Sequence, residues 1–238
     1  MELLRGDRDV ILVGHRGAAA LAPENSLAAI EAAAAHGADV VELDVVRGPD
    51  GRLVLAHGPA VPVDAPPLGE GLALAARLGV GVQMDVKEAG SEEGVVDGLR
   101  RHELLDRSFV SSFSLRMLRA FTALEPGLPR SLTYPEDRHG VTGSRMLGPA
   151  VRPGLAAMRV LLPARLPRFL REAGASAVTL NWAVVTPRAT EVCHRAGVAV
   201  YVWTVNDPAL AKTLVESGID GIITDDPRLL GRGIRPPP

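Results

Sequence analysis

His15-Arg16-Gly17, Pro23-Glu24-Asn25-Ser26, Glu42-Leu43-Asp44-Val45, Asp50-Gly51 and His57-Gly58 follow one another along residues 15–57, and each polar group closes or follows a short apolar segment. Residues 10–13, aliphatic and β-branched, read as a buried strand ending at Gly14-His15. Asn25 or Ser26 caps a helix that carries Leu27, Ile30 and a row of alanines to a stop at His36-Gly37. Residues 40–46 form a second strand, and Asp50-Gly51 turns the chain so that 53–56 pairs back beside it. Two histidines, an arginine and two carboxylates are thereby delivered to strand ends, which is how a site is assembled at the mouth of a barrel.

The same alternation continues outward from this stretch. Helices are predicted over Leu68–Leu78, 92–104, Leu115–Leu124, 163–173, 187–196 and 208–217, and strands over 80–86, 109–112, Arg130–Tyr134, 177–180, 198–205 and Gly221–Thr224. Residues 135–153 read as loop, and the three terminal prolines as a frayed end. Leaving aside the hairpin return, eight strands alternate with helices, which points to a (β/α)8 TIM barrel; a doubly wound open sheet is the alternative.

Composition agrees with one α/β domain over 1–238, its core at about 10–227 and a short C-terminal tail, because no linker-like or charge-rich block interrupts the chain. With 47% hydrophobic but only 3% aromatic residues, the core is expected to be aliphatic. A net charge of -2 without a basic stripe excludes a general attraction to nucleic acid or to an anionic membrane. Cys193 is the single cysteine, so no intrachain disulfide is possible. No apolar run is long enough to span a bilayer, and no secretory signal pattern opens the chain, so a cytoplasmic location is expected. The oligomeric state leaves no mark in the sequence.

Residues two apart on a strand face the same side. Glu42 and Asp44 therefore point together, as do Asp85 and Lys87 on the next barrel strand. Three carboxylates, from Glu42, Asp44 and Asp85, offer hard oxygen ligands suited to a divalent cation, Mg2+ or Ca2+, with Mn2+ a further candidate. His15 and His57 are the acid/base candidates, since imidazole titrates near neutral pH and two can divide the proton-transfer roles. The planar fork of Arg16 suits a phosphate oxygen or a salt bridge to a barrel acid, and Trp203, near the end of its strand, either walls the pocket or fills the core. Glu24-Asn25-Ser26 reads mainly as a helix start, and His36, His102, His139 and His194 receive no role.

Taken together, these residues resemble the glycerophosphodiester phosphodiesterase family. The likeness rests on His15-Arg16-Gly17, Pro23-Glu24-Asn25-Ser26, Glu42-x-Asp44, Asp50-Gly51, His57, Lys87, Ser111-Ser112-Phe113, Trp203-Thr204-Val205-Asn206 and the run from Gly218 to Asp225. The resemblance implies a (β/α)8 barrel that hydrolyses a small-molecule glycerophosphodiester to glycerol 3-phosphate and an alcohol with a divalent cation. It further implies that His15 and His57 are the acid/base pair, that Glu42 and Asp44 bind metal, that Arg16 and Lys87 contact phosphate, and that Trp203 lines the glycerol side. Three departures stand out: Asp85 replaces the family's usual glutamate, Gly58 replaces an aspartate, and 58–84 is too short for the covering subdomain commonly inserted there. An open mouth is expected, which keeps lysophospholipids in view as substrates. A lyase releasing a cyclic phosphate and a non-catalytic phosphate-binding barrel are the competing readings.

Overall fold

The computed structural model describes residues 1–58, 60–136 and 148–230. Strand β1 (Ile11–Gly14) is followed by α1 (Leu27–Ala35), β2 (Val40–Arg47), β3 (Leu53–Leu55), α2 (Leu68–Leu78), β4 (Gly81–Val86), α3 (Glu92–Arg101) and β5 (Ser108–Ser112). Then come α4 (Leu115–Leu124), β6 (Arg130–Tyr134), α5 (Gly148–Ala173), β7 (Ala177–Asn181), α6 (Pro187–Arg195), β8 (Ala199–Trp203), α7 (Pro208–Glu216) and β9 (Gly221–Thr224). Neighbouring strands pair in the order β1-β9-β8-β7-β6-β5-β4-β2, and β1 also pairs with β2. Every one of those pairings is parallel, so the sheet closes on itself. This is the (β/α)8 barrel rather than the open sheet. β3 runs antiparallel to the end of β2, with Val46 opposite Val54, and brings His57 back to the mouth.

Local chemistry explains why the elements begin and end where they do. Ser26 accepts a hydrogen bond from the Ala29 amide at 3.1 Å to cap α1, and Thr186 and Asp207 cap α6 and α7 ahead of prolines whose missing N–H needs no partner there. One sequence expectation is corrected. Helix α5 starts at Gly148, well before the predicted 163, and takes in Pro153 from the stretch expected as loop; 137–147 of that stretch, with His139, lie outside the described residues, as do Pro59 and the prolines of the tail.

The barrel interior is graded. At the strand N-terminal end the inward residues are apolar: Val13, Val40, Phe109, Ala177, Ala199, Tyr201 and Ile223 pack together with Leu3 of the leading segment. The Phe109 and Tyr201 rings lie 5.2 Å apart, and the Tyr201 hydroxyl donates to the Leu3 carbonyl at 3.3 Å. Two residues further along the strands the inward face turns polar, with Glu42, Gln83, Ser111, Thr179 and Trp203. Aliphatic side chains fill the space between strands and helices in two further clusters. Between β2 and β4 the described residues contain only β3 and α2, and no helix among the described residues is long and apolar enough to cross a membrane.

Candidate active site

One cavity of about 210 Å³ opens at the C-terminal end of the strands. Its lining includes all eight residues singled out from the sequence: His15, Arg16, Glu42, Asp44, His57, Asp85, Lys87 and Trp203. They arrive from different directions. His15 and Arg16 leave the end of β1, Glu42 and Asp44 lie on β2, His57 follows β3, Asp85 and Lys87 belong to β4 and the residue after it, and Trp203 ends β8.

The carboxylates of Glu42, Asp44 and Asp85 can each offer an oxygen such that all three lie within 4.8 Å of one another. Register explains this, because Asp44 on β2 stands directly beside Asp85 on β4. Such a set of hard anionic oxygens fits a divalent cation. Its charge is partly offset by Lys87, whose ammonium lies 2.7 Å from Asp44 Oδ1 and also pairs with Asp85. The same ammonium stands 5.4 Å from the centre of the Phe113 ring. Burial opposes charge on Lys87, but Asp85, Asp44 and Glu42 outweigh it and hold its pKa well above the ordinary lysine range.

The two acids of β2 are driven apart. Glu42 is pushed up to about 7, first by burial and then by the neighbouring charge of Asp44. Burial presses Asp44 the same way, yet Lys87, the hydrogen bond from His57 and the charge of Arg16 hold it far below the usual carboxylate range. Asp44 is the hub of the site: its Oδ2 lies 2.9 Å from His57 Nδ1, 3.1 Å from Arg16 Nε and 3.1 Å from Asn25 Nδ2. Glu42 Oε2 accepts the Arg16 backbone N–H at 2.8 Å.

The histidines are held differently. His15 Nδ1 lies 2.6 Å from Asp225 Oδ1, which leaves Nε2 free of that carboxylate. Burial works against a charged His15, but the Asp225 hydrogen bond and the Glu42 charge prevail and raise its pKa. Asp225 is in turn fixed by Asn206, whose Nδ2 donates to Oδ2 at 2.6 Å and whose Oδ1 accepts the Asp225 amide at 2.9 Å. Arg16 Nη2 lies 3.2 Å from His57 Nε2. A guanidinium can only donate, so His57 Nε2 must be the acceptor and the ring proton sits on Nδ1, facing Asp44. In this arrangement Asp44 orients the His57 ring and the lone pair of Nε2 meets Arg16.

Asn25, Asn206 and Asp225 are site residues that the sequence reading did not assign. Asn25 is buried at φ 58° and grips Asp44 twice, through Nδ2 to Oδ2 and through Oδ1 accepting the Asp44 amide at 3.0 Å. Its neighbour Ser26 does the capping. Trp203 walls the cavity, its Nε1 donating to the Thr179 carbonyl at 3.2 Å. Arg16 also pairs with the half-exposed Glu24 at 2.6 Å, so its fork is held by acids on two sides.

The chain matches the model of the Glycerophosphoryl diester phosphodiesterase family over residues 15–64 and 80–229. A glycerophosphodiester phosphodiesterase of Caldanaerobacter subterraneus subsp. tengcongensis is 26% identical over 259 residues, spanning 92% of this chain and 96% of its own length. An Oleispira antarctica phosphodiesterase, solved in complex with the product sn-glycerol-3-phosphate, superposes with a TM-score of 0.74 at 21% identity, covering 93% of this chain and 95% of that one. A glycerophosphodiester phosphodiesterase from Parabacteroides distasonis superposes at 0.70 with 22% identity, covering 91% and 93%. These two structures share the fold.

Proposed function

Because the chain belongs to the glycerophosphoryl diester phosphodiesterase family, we propose that its cavity hydrolyses glycerophosphodiesters to glycerol 3-phosphate and an alcohol, with His57 as general base and His15 as general acid. The observation that carries this reading is the meeting of the Glu42, Asp44 and Asp85 oxygens, within 4.8 Å of one another, on the wall of the cavity that His15 and His57 also line. An imidazole whose Nε2 lone pair is covered only by the mobile arm of Arg16 suits proton removal, and a histidine whose pKa is raised by a carboxylate suits proton donation.

Glu42, Asp44 and Asp85 would hold the divalent cation, which supplies Lewis-acid polarisation of a phosphoryl oxygen when bound. Lys87 and Arg16 would face the remaining phosphoryl oxygens, Arg16 turning from His57 and Glu24 towards the substrate and so uncovering His57 Nε2. His57 then takes a proton from water as its oxygen forms the new bond to phosphorus. The bond to the alcohol oxygen breaks, and His15 gives that oxygen its proton. Asp225 keeps His15 oriented throughout and Asp44 does so for His57. The indole of Trp203 forms the apolar side against which the glycerol carbons rest.

Phosphorus NMR of glycerophosphocholine turnover tests the reading. Glycerol 3-phosphate is expected with Mg2+, Ca2+ or Mn2+, and its formation is expected to stop with EDTA or in Glu42→Ala. A cyclic phosphate as the final product would make the chain a lyase, and no turnover with any of the cations would overturn the assignment.

A further inference from the structure

Gln83 stands beside Glu42 on the inner wall: β2 and β4 are in register there, with Glu42 opposite Gln83 and, two residues on, Asp44 opposite Asp85. Parallel neighbours in register lie about 5 Å apart with side chains on the same face. Gln83 is 1% exposed and lines the same cavity as the three acids.

Counting protons fixes which way its carboxamide points. Ser111 Oγ donates to Asp85 Oδ1 at 2.8 Å and so spends its one proton. The Gln83 atom 3.0 Å from Ser111 Oγ must then be the donor, Nε2. That leaves Oε1 on the other side of the amide, and this buried oxygen has no hydrogen-bond partner among the described residues. A buried carbonyl oxygen without a donor is rare in a folded protein, and here it belongs to a residue that lines the cavity together with three carboxylates.

We propose that Gln83 Oε1 is a fourth protein ligand to the divalent cation, beside Glu42, Asp44 and Asp85, and that it biases the site towards Ca2+ over Mg2+. The proposal rests on the reading of the cavity as a cation site. A carboxamide oxygen is a hard, neutral donor that adds a ligand without adding to the charge crowded around Glu42. Ca2+ takes six to eight oxygens, side-chain carbonyls among them, whereas Mg2+ keeps most of its waters and gains little from a further protein ligand. The Ser111 hydroxyl ties the Gln83 amide to Asp85, so the two ligands are braced against each other.

Isothermal titration of the EDTA-stripped full chain with CaCl2 and with MgCl2, without substrate, provides the test. Gln83→Leu is expected to weaken Ca2+ binding about tenfold or more and Mg2+ binding much less. Gln83→Asn, which keeps the amide but withdraws its oxygen, carries the same expectation and serves if the leucine variant does not fold. Glu42→Ala is the control that removes the site itself. Unchanged Ca2+ affinity in a folded Gln83 variant, with binding lost in Glu42→Ala, would overturn the proposal and leave the cation site standing. A parent chain that binds neither ion would overturn both.

Discussion

Glu42 and Asp44 are two residues apart on one strand, equally buried, and yet held at opposite ends of the carboxylate range. The difference lies in partners. Asp44 has Lys87, His57 and Arg16 against it, while Glu42 is pressed upward by burial, Asp44 and Asp85 and only partly relieved by His15 and Lys87. Because the folded pKa of Glu42 lies near 7, above its ordinary 4.5, it favours the metal-free fold below about 4.5, and that contribution is lost as pH rises through about 7. A cation must displace this proton. Titrating the metal in buffers of differing ionisation enthalpy is expected to show about one proton released near pH 6 and almost none near pH 8; equal release at both would contradict the assignment.

Asp225 gives a second expectation at this scale. Asp225→Asn removes the charge that raises His15, so the alkaline limb of the kcat/KM profile is expected to move to lower pH, with kcat down about 10–100-fold. A limb that stays in place would show that Asp225 does not set the protonation of His15. Such partners were not legible in the sequence. His15 and Asp225 are 210 positions apart, and nothing in Ile223-Thr224-Asp225 says which acid a closed barrel will bring beside β1. Asn25 shows the same limit locally, for a capping pattern explains it too easily, and only the fold reveals that Ser26 caps while Asn25 holds Asp44.

At the scale of elements, the link from β1 to α1 fixes where His15 and Arg16 sit. Gly17 has φ 85°, and a Cβ there would come within 2.5 Å of the Ala29 backbone, so only glycine lets the chain pass this close to α1. Gly17→Ala is expected to cost about 3 kcal/mol or more in chemical denaturation. A variant as stable as the parent would mean that α1 can retreat without penalty. The strands were readable because each is a short aliphatic run bounded by glycine or polar residues, and Leu68–Leu78 and Leu115–Leu124 because their apolar spacing is helical. Helix α5 was not. Pro153, Pro163 and Pro167 lie within it, and each removes an N–H from the ladder, so the stretch before 163 lacks the sequence marks of a helix.

The whole molecule divides its labour along the barrel axis. One end is closed by aliphatic and aromatic side chains with Leu3 inserted beneath Tyr201, and the other presents every ionisable group of the site. Leu3→Asp should therefore destabilise the fold by about 3 kcal/mol, seen as a lower urea midpoint, while kcat measured well below the transition stays at the parent value. A fall in kcat with no change in midpoint would deny that separation. The alternation of eight strands with helices pointed to a barrel and two-residue spacing put Glu42 with Asp44, whereas closure itself rests on the pairing of β1 with both β2 and β9. The proton inventory of the site did not follow from these patterns, because it depends on contacts across the barrel.

The division of roles between the two histidines is the centre of the account, and leaving-group dependence tests it most directly. Rates would be compared for glycerophosphocholine and for the p-nitrophenyl ester of glycerol 3-phosphate, whose leaving group needs no proton. His15→Ala is expected to lose about a thousandfold on the choline ester but to stay within about tenfold of the parent on the nitrophenyl ester, whereas His57→Ala is expected to fail on both. Equal losses for His15→Ala on the two substrates would contradict its role as the acid.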